Sequence, residues 1–261
     1  MTGGIDRRAA FRAQRADVLG FCGSLGPADW RMNSRARGWS IADVVAHMGS
    51  GCRALFTPSA LKLMRADSVE DANEVLVDAR RDRTPRQVLG EYRRWTRVFA
   101  AIAPALALQP MGRIPVSVAE LGSFPVRLLV SAAVFDHHTH LSYDMAPALD
   151  RPVAAADANR MAAVLEWMTA VLSNQLQAAT PTWLDRPLSI TLNGPGGGTW
   201  TVDPCGAVRA GAAGQVAAEI TGAAAQFPEW GTRRANWRER DVTVTGDADY
   251  GAVFLDAMNI V

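Results

Sequence analysis

Apolar positions recur at helical spacing through roughly the first 175 residues and then give way to strict alternation. In 5–23, Arg and Asp interleave with Ala, Phe, Val and Leu at three- and four-residue intervals, which predicts a first helix. A loop rich in Gly, Pro, Asn and Arg follows, GPADWRMNSRARG. The next helix, predicted over about 41–56, has a strong start signal. The Ser40 hydroxyl can accept from the backbone N–H near Asp43, and Asp43 can reach back to the cap. Trp39, just before the cap, can pack on Val44 as a staple. Thr84 caps and Pro85 opens a helix over 84–104. Another runs from near Ser123-Phe124-Pro125 to about 145, and a further one covers about 156–178. Long helices joined by loops predict a helix bundle.

Beyond that point Leu188-Ser189-Ile190-Thr191-Leu192 alternates, Asn193 to Gly198 is a turn, and Thr199-Trp200-Thr201-Val202 alternates again. This is a β-hairpin signal. Residues 214–221 and 241–245 read as further strands, with helices at about 222–231 and 247–258. The fold class expected is therefore α+β, with a four-helix bundle at 1–179 and a small α+β domain at 180–261, the boundary falling near Ala179-Thr180-Pro181. The glycine-rich turn joins two strands and lacks a GKS or GKT ending, so it is not read as a phosphate loop.

Composition narrows the function classes. The 261 residues are 49% apolar and 20% charged, an ordinary globular mixture that excludes a disordered, collagen-like or disulfide-stapled chain. With 27 basic and 26 acidic side chains, the net charge of +1 argues against nucleic acid or an acidic membrane surface as partner. Among the basic residues only Lys62 is a lysine. Together with the abundant alanine, this suggests a high-GC bacterial source. Cys22, Cys52 and Cys205 are an odd number without CxxC spacing, which speaks against a disulfide framework or a cysteine zinc site. No apolar run has the length of a membrane span, and the N-terminal segment lacks a signal-peptide core. The expectation is a cytoplasmic protein, monomer or homodimer, acting on a small molecule.

The histidines concentrate the chemistry. His47 lies in the helix capped by Ser40, and His137, His138 and His140 share one segment, Phe135-Asp136-His137-His138-Thr139-His140. Asp136 and His140, four residues apart on a helix, differ by roughly 40° in direction and point the same way. A second helix can bring His47 to the same place. Two imidazoles and a carboxylate form a common open site for a divalent metal. His47, His137 and His140 could make an alternative set. His138 points roughly 160° away from His140, as a surface or supporting group. No GxSxG is present, and Cys52, roughly 140° around the helix from His47, reads as a small buried apolar residue. An enzyme here working through a thiol would take it from a cosubstrate.

The segment Gly38-Trp39-Ser40-Ile41-Ala42-Asp43-Val44-Val45-Ala46-His47-Met48 resembles the W-(S/T)-x-x-D-(V/L)-x-x-H-(L/M) motif of DinB-like proteins, and more closely the mycothiol-dependent maleylpyruvate isomerase family. Asn73-Glu74-Val75 through Thr84-Pro85 is similar to that family's stretch between its metal helices, and Asp136-x-x-x-His140 resembles its second metal motif. The C-terminal hairpin, the 218–231 segment and Val244-Thr245-Gly246-Asp247 resemble the sterol-carrier-like α+β domain attached to these enzymes.

The resemblance implies metal ligation by His47, Asp136 and His140, with zinc the usual metal. It implies mycothiol, the actinobacterial low-molecular-weight thiol, as cosubstrate of a transferase or isomerase. In that chemistry a metal-bound thiolate attacks a small electrophile. It further implies an arginine of the second domain holding a substrate carboxylate, for which Arg233 and Arg234 are the candidates. Two departures stand out. The isomerase carries Glu where this chain has Asp136, and relatives often place an acid three residues after the second-motif histidine, whereas Asp144 is four after His140. Alternative readings are a non-enzymatic small-ligand-binding protein of the same fold, its pocket lined by Trp and Met, and a metal-dependent hydrolase using bound water.

Overall fold

The computed structural model describes residues 4–57, 68–212 and 214–260. They form two compact units, Asp6–Ala154 and Ala155–Val261, the latter joined by Met1–Ile5. No helix among the described residues is long and apolar enough to cross a membrane.

The first unit is helical. Helix α1 (Arg7–Gly23) starts where Asp6 accepts the Ala9 N–H at 2.9 Å. Helix α2 (Ile41–Ala54) has the expected reciprocal cap: Asp43 N–H donates to Ser40 Oγ at 3.2 Å, and Ser40 N–H donates to Asp43 Oδ2 at 2.9 Å. A helix not anticipated, α3 (Val69–Asp78), is capped by Ser68. Helix α4 (Pro85–Ala107) begins with the Thr84–Gln87 capping box and Pro85. The segment 123–125 does not open the next helix as expected. Ser123–Pro125 forms strand β2, antiparallel to β1 (Pro115–Ser117), with Val116 opposite Phe124. Helix α5 then runs Leu128–Thr139 and widens into a π-helical turn, His140–Met145.

Helices α1, α2, α4 and α5 make the bundle: α2 packs on α4, and α1 packs on α4 and α5. One core centres on Val18, Ile41, Val45, Met48, Tyr92 and Met145. Phe11 meets Phe99 edge to face with centroids 4.8 Å apart, a contact worth about 1 kcal/mol beyond its buried area. The approach of α2 to α4 depends on Gly49, because a Cβ there would lie 3.0 Å from Tyr92 Cα and 3.1 Å from Tyr92 N.

The second unit is α+β. Helix α6 (Ala158–Ala179) is capped by Asp157 and ends on a left-handed Thr180 with φ 41°. The sheet has the order β5-β4-β3-β6-β7, formed by β3 (Leu188–Asn193), β4 (Gly198–Val202), β5 (Val208–Ala210), β6 (Ala218–Ala223) and β7 (Val242–Gly246). Strands β3 and β4 are the predicted hairpin, with Ile190 opposite Trp200. The central pair β3 and β6 is parallel, with Ile190 beside Ile220. Short helix α7 (Phe227–Gly231) follows β6, and α8 (Ala248–Ala257) follows β7.

The fold class is the expected one, a helical bundle followed by an α+β part. The compact units divide at 154/155, whereas the change of sequence pattern falls at 179/180. The intervening helix α6 groups with the sheet unit. Gly206, at φ +79°, sits so close to it that a Cβ would lie 2.7 Å from the Leu176 carbonyl carbon.

Candidate metal centre

The capping box fixes where α2 starts, and hence the direction of His47 seven residues after Ser40. Helix α5 presents Asp136, and His140 follows one turn later at the junction with the π turn. His47 Nε2 lies 2.9 Å from Asp136 Oδ1, and His140 Nε2 lies 3.5 Å from the same oxygen. One ligand-type atom from each of the three residues lies within 4.8 Å of the others. His47 is buried, and the Asp136 side chain is 33% exposed, so the cluster is reachable from one side. Burial alone would raise the Asp136 carboxyl. Facing His47 and His140, and adjacent His137, outweigh that and hold it well below the usual carboxylate range.

The donor set fits a divalent ion of the zinc type. Two imidazole nitrogens and one carboxylate oxygen converge, and three protein ligands leave a coordination position open. The ring of His140 is anchored on its far side: its Nδ1 lies 2.7 Å from Oδ2 of buried Asp144. His47 Nδ1 is buried without a hydrogen-bond partner among the described residues.

The indole of Trp39 walls the cluster, its ring centroid 5.0 Å from that of His47 and 6.1 Å from that of His140. Its Nε1 donates to Glu74 Oε2 at 2.7 Å, and Arg81 ties Glu74 and Asp78 together. Gly38, at φ +81°, makes the turn that delivers Trp39 to this position.

His47, Asp136 and His140 are thus brought together as the spacing predicted. His137 faces elsewhere, packed against the rings of Phe11 (5.3 Å) and Tyr92 (5.5 Å), with Nδ1 3.4 Å from Asp136 Oδ2. His138 is not on the surface. It is 6% exposed, against the ring of Tyr143, because α5 is buried on more than one face. Cys52 is buried, as expected. Arg233 and Arg234 lie in the other compact unit. Arg233, at φ 57°, donates through Nε to Met258 O at 2.9 Å and through Nη2 to Asp256 O at 2.8 Å, while Arg234 Nη1 donates to Thr232 Oγ1 at 3.0 Å. The sequence reading missed three contributors. The tryptophan wall was visible only as a staple, Glu74 only as part of a motif, and Asp144 only as an offset acid.

Residues 11–140, which include all three clustered residues, match the family described as "Mycothiol maleylpyruvate isomerase N-terminal domain". Two solved structures share the fold over 92% of this chain and 92% of their own. One is the crystal structure of the mycothiol-dependent maleylpyruvate isomerase, at a TM-score of 0.57 and 13% identity. The other is a histidine-to-alanine variant of that enzyme, at a TM-score of 0.56 and 13% identity. At this identity the likeness is one of fold. No curated protein matches the chain in sequence.

Proposed function

We propose, from the membership of residues 11–140 in the mycothiol maleylpyruvate isomerase N-terminal domain family, that this chain is a metal-dependent enzyme using mycothiol as cosubstrate to transfer or isomerise a small electrophile. The observation that carries the metal part is the convergence of His47, Asp136 and His140 within 4.8 Å. These three would hold the ion, and zinc suits the donor set. A divalent ion held there supplies a positive charge that lowers the pKa of a thiol brought to it, so that thiolate is present at neutral pH.

The chain's own residues do the rest. Helices α2 and α5 hold the two imidazoles, and their rigidity limits how far the donors can drift. Trp39 closes one side against water, its orientation set by the bond to Glu74. The buried cysteines do not supply the nucleophile. Burial pushes the Cys22 thiol up to about 12, and burial with the Asp136 charge raises Cys52 as well, so both stay protonated. The family match points to a thiol from outside the protein.

The test measures metal content by elemental mass spectrometry in the wild type and in His140→Ala, beside turnover of maleylpyruvate with and without mycothiol. The expected result is about one zinc per chain, lost in the variant together with a turnover that requires the thiol. Activity persisting after metal loss would sink the proposal. Turnover without added thiol would favour a hydrolase, and a co-purifying apolar ligand in metal-free protein would favour a binding protein.

A further inference from the structure

Asp144 is 1% exposed, and its Oδ2 lies 2.7 Å from His140 Nδ1. A buried carboxylate is costly unless a charge or a donor meets it. The partner here is the far side of a residue already in the three-residue cluster. The two residues stand four apart, the spacing at which side chains meet on one face of a helix. Residues His140–Met145 form a π turn, in which the Ala146 N–H donates to Leu141 O, five residues back, at 3.1 Å. Across this wider turn Asp144 still lies beside His140. The Asp144 backbone is fixed as well, because its carbonyl accepts the Arg35 N–H at 3.0 Å.

A neutral imidazole carries one proton, and the partner of one nitrogen decides which nitrogen has it. With Nδ1–H donated to Asp144, the lone pair of His140 is on Nε2, the nitrogen that faces Asp136 Oδ1 at 3.5 Å. We infer that Asp144 is a positioning residue of the metal centre, holding His140 in the tautomer and ring orientation that present Nε2 to a divalent cation. The inference rests on the reading of His47, Asp136 and His140 as ligands.

The experiment measures zinc affinity of the full chain by competition with a chromophoric chelator, for wild type, Asp144→Asn and Asp144→Ala. Loss of such a partner typically weakens metal binding about 10–100-fold. We expect about tenfold for Asn, which keeps an acceptor without the charge, and the upper end for Ala. Thermal unfolding of the zinc-free proteins reports whether each variant folds. Nitrogen-15 NMR of the zinc-loaded wild type needs no variant: His140 should carry its proton on Nδ1 and the metal on Nε2. Metal on Nδ1, or wild-type affinity in both folded variants, would overturn the assignment of Asp144 while leaving the ligands standing. A wild type that takes up no zinc would overturn the ligand reading and this inference with it.

Discussion

Replacing Glu91 by Gln should destabilise the helical unit by about 3 kcal/mol, from the usual cost of removing one partner of a buried ion pair. Glu91 stands on α4 with its side chain 10% exposed, and it receives a two-pronged contact from Arg80: Nε to Oε2 at 2.7 Å and Nη2 to Oε1 at 2.8 Å. The Arg80 side chain is only 4% exposed. Arg83 and Arg53, both more open, complete the ring of cations, and Arg53 links α4 to α2. The substitution keeps the shape and one acceptor but leaves Arg80 charged and buried. At 2–4 °C per kcal/mol for a unit of this size, the melting temperature should fall by about 6–12 °C near pH 7. The pH dependence fixes the cause. Burial raises the Glu91 carboxyl, yet Arg80, Arg83 and Arg53 prevail and hold it below the ordinary value. A depressed folded-state pKa adds stability that is present above the unfolded value, near 4.3, and is lost as pH falls through the folded one. The gap between wild type and variant, followed by circular dichroism, should therefore close below about pH 4. A variant melting with the wild type at pH 7, or a gap that persists at pH 2.5, would refute the argument.

Two further outcomes follow from packing. In native protein at pH 8 only Cys205 should react with a chromogenic disulfide reagent, because Cys22 and Cys52 are buried with raised thiol pKa values; all three should react in denaturant. Rapid native labelling of a second thiol would count against the core as described. Gly49→Ala gains roughly 1 kcal/mol of helix propensity. It also pushes a methyl group to 3.0 Å from the Tyr92 backbone, which cannot rotate away. An overpacking cost of about 1–3 kcal/mol should leave the variant no more stable than wild type and should weaken zinc binding by moving His47. A stabilised variant with unchanged zinc affinity would remove Gly49 from that role.

What could be read from the sequence was local chemistry with a fixed period. The Ser40–Asp43 cap, Thr84 and Pro85, the β3–β4 hairpin and the four-residue spacing of Asp136 and His140 are each set by neighbours in the chain, and each appears where expected. The misses depended on tertiary context. Helix α3 escaped because only Val77 of its residues is fully buried and Val75 is 64% exposed, so its apolar stripe is faint. Ser123-Phe124-Pro125 resembles a cap followed by Pro and so predicts too early a start for α5, whereas Phe124 pairs across to Val116. Helical geometry alone turns His138 away from His140, as a surface or supporting group, and cannot show that α5 has neighbours on more than one side; the surface alternative fails because the residue is buried. His140 and Asp144 share the four-residue spacing of Asp136 and His140, but the burial that fixes Asp144 against Nδ1 depends on tertiary packing.

These misses bear on how the site is built. Spacing along α5 sets the relation between Asp136 and His140, but the distance to His47 is set by how α2 lies in the bundle. That placement draws on the glycine contact at Tyr92, the arginines gathered on Glu91 and the Trp39–Glu74 bond, all remote in sequence from the histidines. The same packing carries a cost behind the ligands: His137 Nε2, Tyr92 Oη and Gln14 Oε1 are buried without hydrogen-bond partners among the described residues. Ring packing around His137 by Phe11 and Tyr92 limits the freedom of the neighbouring Asp136. His47, Asp136 and His140 are therefore backed by a packed layer that fixes their relative positions.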